Sequence, residues 1–141
     1  MTGTRGDPGV EATVRDLRSA HRFLDRFVNL EATAGRIHGL SLEAMRGLAS
    51  VMGDPQHDVP FLHVTGTNGK GSVSAMASSL LGAAGLKVGG FSSPHVDTVR
   101  ERLTMGGEMI SEEAFVELVA DLERYAAAAP ERPSYVSLIH I

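Results

Sequence analysis

Apolar residues recur at helical spacing in four stretches of the chain and condense into short runs between them. From Glu11, the positions Val14, Leu17, Phe23, Leu24, Phe27 and Val28 fall on one stripe, while Arg15, Asp16, Arg18, Arg22 and Arg26 face water. A second helix is predicted from Leu42 to about Met52, capped by Ser41 and burying Leu42, Met45, Leu48, Val51 and Met52. Gly53, Asp54 and Pro55 end it. A third is predicted from Ser72 to about Ala84, with Val73, Met76, Ala77, Leu80 and Leu81 inward and Gly85 as its terminating glycine. The fourth follows Ser111, with Phe115, Leu118, Val119, Leu122 and Tyr125 on one face and Glu112 and Glu113 suiting its positive end. It tapers through Ala126 to Ala129 into Pro130.

Two apolar runs read as strands, one starting at Phe61-Leu-His-Val and one over Leu86–Phe91. Strand, helix, strand at this length predicts a right-handed crossover and a parallel sheet, so the fold class is α/β. Both strands then end at one sheet edge. The turn from Gly66 to Ser72 and the Ser92-Ser93 turn are thus expected to face one crevice. Glu101 to Ile110 reads as a hairpin turning at Gly106-Gly107.

The first of those turns carries the chemistry. Gly66, Gly69 and Gly71 surround Lys70 where a strand gives way to a helix, the layout of a phosphate-binding loop. Glycines let backbone N–H groups converge on a phosphate, and the helix adds its positive end. Lys70 supplies a mobile charge, and Thr67 or Ser72 a hydroxyl for phosphate or Mg²⁺. Against the general pattern G-x-x-x-x-G-K-[ST], Val64 stands where glycine is wanted and Gly71 where a hydroxyl is wanted. The general pattern alone leaves a plain glycine-rich turn with an exposed lysine open.

The variant Gly66-Thr-Asn-Gly-Lys-Gly-Ser72 resembles the ATP loop of the Mur ligase superfamily, and within it folylpolyglutamate synthase and dihydrofolate synthase. Phe91-Ser-Ser-Pro-His95 and then Glu101-Arg102 resemble that family's second loop at the matching separation. The resemblance covers roughly residues 20 to 135. It implies part of a P-loop, three-layer α/β/α ATPase domain with a parallel sheet. ATP would lie on Gly66, Thr67, Asn68, Gly69, Lys70, Gly71 and Ser72, with Lys70 acting on the phosphates and Ser93 holding Mg²⁺. Gly39, Leu40, Ser41 and Leu42 match the turn lining the pterin pocket, and His95 and Arg102 are further substrate candidates. Read without the resemblance, Ser93-Pro94 is a turn, His95 a loop histidine, and Arg102 either aims at the crevice or pairs on the surface. The implied reaction phosphorylates a folate or dihydropteroate carboxylate with ATP. The amine of L-glutamate then displaces phosphate to form an amide.

Composition narrows the rest. The net charge of −4 offers no basic footprint for nucleic acid. The absence of cysteine excludes disulfides and thiolate metal sites. His57 and His63 have no metal partner at useful spacing. No apolar run reaches the roughly 20 residues of a membrane span, and the amino terminus has no apolar signal core, so a cytoplasmic protein is expected. Residues 1 to 10 read as a disordered tail, and 11 to 135 as the N-terminal part of the ATP-binding domain. Residues 136 to 141 depart from the family pattern: Val136 and Ser137 stand where phenylalanine and glutamate are expected. The resemblance therefore implies a truncated piece of a monomeric ligase, inactive alone. A stand-alone nucleotide-binding module and a non-functional remnant are the alternatives.

Overall fold

The structure is a computed structural model that describes residues 13–27, 42–131 and 133. The chain divides into two compact units, Met1–Pro60 with Val116–Ile141, and Phe61–Phe115.

In the first unit, helix α1 spans Leu17–Leu24. The Asp16 carboxylate accepts the Ser19 N–H at 2.6 Å, and Ser19 Oγ accepts the Asp16 N–H at 3.0 Å. This reciprocal cap satisfies two otherwise unpaired donors and sets the helix start, later than the expected Glu11. Val14, Ala20, Phe23 and Leu24 are buried, and the five polar positions of the expected outer face are exposed. Val28 lies outside the described residues.

Helix α2 spans Glu43–Val51 with Leu42 at the cap position, making no side-chain capping bond. The expected cap, Ser41, lies outside the described residues. Leu48 and Ala49 are buried, whereas Leu42 is 64% exposed, a correction to its expected burial. A residue at the cap sits before the helical stripe begins, so its side chain need not follow the stripe inward. Gly53 (φ 84°) and Asp54 (φ 54°) end the helix as expected, followed by a 3₁₀ turn at Pro55–His57.

Helix α4 spans Glu112–Ala128 and belongs to both units. Ser111 Oγ accepts the Ala114 N–H at 3.1 Å, the expected cap. Phe115, Val119, Leu122 and Tyr125 are buried as the stripe predicts, and Leu118 is half-buried. The Glu123 carboxylate accepts the Thr13 and Val14 N–H groups at 2.5 and 3.0 Å and the Thr13 hydroxyl at 2.6 Å. Partial burial raises the Glu123 pKa, but these three hydrogen bonds outweigh it and hold the group below its ordinary value.

The second unit holds helix α3 (Lys70–Ala83) and strands β1 (Gly89–Phe91), β2 (Leu103–Met105) and β3 (Glu108–Met109). Gly85 (φ 87°) terminates α3: its N–H reaches the Gly82 carbonyl, and the Leu86 N–H reaches that of Leu81. The β2–β3 hairpin turns at Gly106 and Gly107, both at positive φ, as the Gly-Gly pair predicts.

The sheet itself corrects the sequence reading. It is antiparallel, in the order β1-β2-β3, with Gly89, Gly90 and Phe91 opposite Met105, Thr104 and Leu103. The expected strand at 61–65 is in no ladder, so the parallel pair does not form. β1 instead pairs with β2, which the chain reaches through the turn at residues 92–102. Phe61 and Leu62 are 73% and 67% exposed. The expected inward face of α3 is likewise uncovered. Val73, Met76, Leu80 and Leu81 are exposed and Ala77 half-buried, because the small sheet meets only part of the helix surface.

Gly90 is where α3 and the sheet meet. A Cβ there would collide with Thr104 Oγ1 and come within 4.0 Å of Ser78 Oγ. Thr104 is β-branched and has little rotamer freedom to yield. Gly90→Ala is expected to destabilise the second unit by about 1–3 kcal/mol, the usual cost of overpacking. In thermal melts, Gly90→Ala combined with Thr104→Ala should recover most of that loss. A double variant no better than the single one would show that the contact is not the cause.

Candidate functional site

The glycine-rich turn is built as its composition requires. Gly66 (φ 148°) and Gly69 (φ 75°) both occupy the positive-φ region that side chains resist. Gly69 is the N-cap of α3, so the helix opens at Lys70 itself, two residues before the expected Ser72. No side chain caps this end, which leaves the first-turn N–H groups open to an acceptor. Lys70 Nζ folds back over the turn, donating to the Gly66 carbonyl at 2.7 Å and the Thr67 carbonyl at 3.3 Å. Thr67, Asn68, Gly71 and Ser72 are exposed around it. An ammonium held by two neutral carbonyls can exchange them for an anion, which is the stronger partner.

The second turn leaves β1. Ser92 donates its N–H to the Arg102 carbonyl at 2.9 Å, and the Ser93–Pro94 peptide is cis. Ser93 is exposed. Arg102 is neither on the surface nor paired there. It is 3% exposed, the one buried charged side chain among the described residues, and its Nε donates to His95 Nδ1 at 2.8 Å. Arg100 donates from Nε and Nη2 to the Ile110 carbonyl at 3.1 and 2.9 Å, and from Nη1 to Glu112 at 3.0 Å, fixing the hairpin to the start of α4.

Glu101 is the residue whose role the sequence reading missed. Its carboxylate accepts the N–H groups of Val96 (2.8 Å), Asp97 (3.0 Å) and Thr98 (2.8 Å). The signal was present: Thr98-x-x-Glu101 is a capping-box pattern, here opening a 3₁₀ turn over Val99–Arg102. The hydrogen bonds from Val96, then Thr98 and Asp97, hold Glu101 below the ordinary glutamate value of 4.5. A depressed carboxylate contributes stability that is present above that value and lost as pH falls through the lower folded one. Acidification below pH 4.5 should therefore release this turn. Hydrogen exchange at the Val96, Asp97 and Thr98 amides should rise there in the native chain. The same amides should be unprotected at neutral pH in Glu101→Ala.

The donor set decides what metal it suits. Among the described residues no three His, Asp or Glu side chains cluster to hold an ion. The hydroxyls of Ser93, Ser72 and Thr67 are hard oxygens, which fit Mg²⁺ held mainly by nucleotide phosphates and water. Leu42 is described and exposed, while Gly39, Leu40 and Ser41 lie outside the described residues. No helix among the described residues is long and apolar enough to cross a membrane.

No protein-family model matches the chain. Individual proteins do. A probable bifunctional folylpolyglutamate synthase/dihydropteroate synthase of Halobacterium salinarum is 39% identical over 101 residues, 69% of this chain and 12% of that protein. The dihydrofolate synthase/folylpolyglutamate synthase of Bacillus subtilis is 39% identical over 87 residues, 62% of this chain and 20% of that protein. Among solved structures, the folylpolyglutamate synthetase of Lactobacillus casei superposes with a TM-score of 0.72 at 29% identity, over 89% of this chain and 31% of that one. The chain is a homologue of part of the folylpolyglutamate synthase/dihydrofolate synthase family. Two further family structures carry ligands. One is a complex with AMPPCP and folate (TM-score 0.71, 29% identity, 89% of this chain, 30% of that one). The other is a bifunctional folylpolyglutamate synthase/dihydrofolate synthase with Mn, AMPPNP and L-glutamate bound (TM-score 0.69, 27% identity, 92% of this chain, 29% of that one). The chain thus spans under a third of these folylpolyglutamate synthases, which are enzymes by name.

Proposed function

We propose that this chain carries the ATP-phosphate and divalent-metal part of an ATP-dependent ligase that joins L-glutamate to folates or dihydropteroate. The observation that carries the reading is the Gly66–Ser72 turn, with two positive-φ glycines, an uncapped helix start and Lys70 arched over it. In this reading the N–H groups of the turn and Lys70 hold the outer phosphates. Offsetting the charge that moves onto the leaving phosphate is the largest contribution such a site makes. Ser93 would hold Mg²⁺, whose charge helps offset that of the phosphates.

Helix and strand geometry supports a shared crevice. α3 reverses at Gly85 into β1, and the two meet at Ser78 and Gly90. From that point Lys70 lies roughly 12 Å back along the helix at 1.5 Å per residue. Ser93 lies about 10 Å forward along the strand direction at 3.3 Å per residue. A reversed pair brings both to the same end.

In the reaction, a carboxylate oxygen of the folate or dihydropteroate attacks the γ-phosphorus of ATP and ADP leaves. The glutamate amine then attacks the acyl carbon, inorganic phosphate leaves, and the amine loses a proton. Residues 11 to 135 are read as part of one Mur-ligase-like, three-layer P-loop domain, with Gly39 to Leu42, His95 and Arg102 toward the pterin substrate. The chain by itself is proposed to bind ATP without forming the amide, as part of a soluble, cytoplasmic ligase that is monomeric at full length. Calorimetric titration with ATP and Mg²⁺ tests the reading: saturable one-site binding is expected, and no heat of binding at millimolar ATP rejects it.

A further inference from the structure

Two consecutive residues hold the Ser92–Thr98 turn at both of its ends. Glu101 takes the N–H groups of Val96, Asp97 and Thr98, while Arg102 takes the Ser92 N–H on its carbonyl and reaches His95 with its side chain. Ser93 and His95 sit between these supports. The second contact has a direction. A guanidinium nitrogen only donates, so His95 Nδ1 must accept with its lone pair. A ring protonated at Nδ1 would set two donors against each other. The proton of the neutral ring therefore belongs on Nε2, on the side away from Arg102. Among the described residues no other group takes a hydrogen bond from His95.

We infer that Arg102 is a positioning residue that locks His95 in its Nε2–H form, making the ring a hydrogen-bond donor to an anionic oxygen beside Ser93. A buried guanidinium suits this task better than a surface one. Buried away from water, its Nε meets little competition from solvent for the His95 acceptor 2.8 Å away. The oxygen belongs to a phosphate or a carboxylate; ATP and the folate or dihydropteroate substrate each supply one. This inference rests on the nucleotide and folate reading of the site, but the tautomer can be measured without either ligand.

Long-range ¹H–¹⁵N NMR of the chain should show His95 protonated at Nε2 and bare at Nδ1. Arg102→Leu should leave the two tautomers averaging, and Arg102→Lys, which restores a donor, should return the Nε2–H form. His95→Ala should weaken binding of either Mg·ATP or dihydropteroate by about tenfold, the worth of one hydrogen bond to a charged group, and leave the other unchanged. Loss with ATP assigns the oxygen to phosphate, and loss with dihydropteroate assigns it to carboxylate. An Nδ1–H ring in the native chain, a tautomer indifferent to Arg102→Leu, or unchanged binding of both ligands by His95→Ala would overturn the inference. If Arg102→Leu fails to fold, the Lys and His95→Ala variants still decide it. A locked ring in a chain that binds no ATP sinks the nucleotide reading alone.

Discussion

Lys70→Ala is expected to weaken the proposed Mg·ATP binding by one to two orders of magnitude, through the loss of about 1.5–3 kcal/mol of charge-assisted hydrogen bonding. In the free chain the ammonium rests on the Gly66 and Thr67 carbonyls, 2.7 and 3.3 Å away, and is exposed. Those bonds must break before Nζ can turn to a phosphate, so the net loss is smaller than the full attraction between the charges. The same exposure separates binding from folding. Melting of Lys70→Ala without nucleotide should lie within about 0.5 kcal/mol of the native chain, as surface changes usually do. Titration calorimetry of both proteins makes the comparison. Equal ATP affinities would show that the turn is not the phosphate site. The affinity of the native chain should also fall as salt rises, because Lys70 is open to screening.

Phe115→Ala is the largest stability effect expected, about 3–5 kcal/mol, the range for deleting a buried aromatic side chain. Phe115 is 2% exposed, in the first turn of α4, one turn beyond the Ser111 cap. A small domain has only about 5–15 kcal/mol in total, so the urea midpoint should fall sharply. Leu80→Ala is the informative control. Leu80 also lies on an apolar helical stripe, but it is 72% exposed. Its removal should change the midpoint by less than about 0.5 kcal/mol. Equal losses from the two variants would mean that α3 is covered in solution.

That contrast marks the line between what the residues state and what their neighbours decide. Local features were legible because they are settled within a few residues. Gly85 had to end α3, Gly106-Gly107 had to turn a hairpin, and Ser111 had to cap α4. The glycine-rich turn was legible for the same reason, since glycine at 66 and 69 is chosen by backbone angles that other residues resist. The two loop motifs, Gly66–Ser72 and Phe91–His95, carry the family likeness in the sequence itself. Tertiary structure alone decided which apolar stripes are covered, because burial depends on a partner surface that the stripe itself does not specify. It left Val73, Met76 and Leu80 of α3 open while closing over Phe115, Val119 and Leu122 of α4. It paired β1 with β2 rather than with residues 61–65, since a strand's edge accepts any partner that reaches it in register. And it drew Arg102 inward to His95, because a guanidinium's direction is set by its acceptors and by what surrounds them.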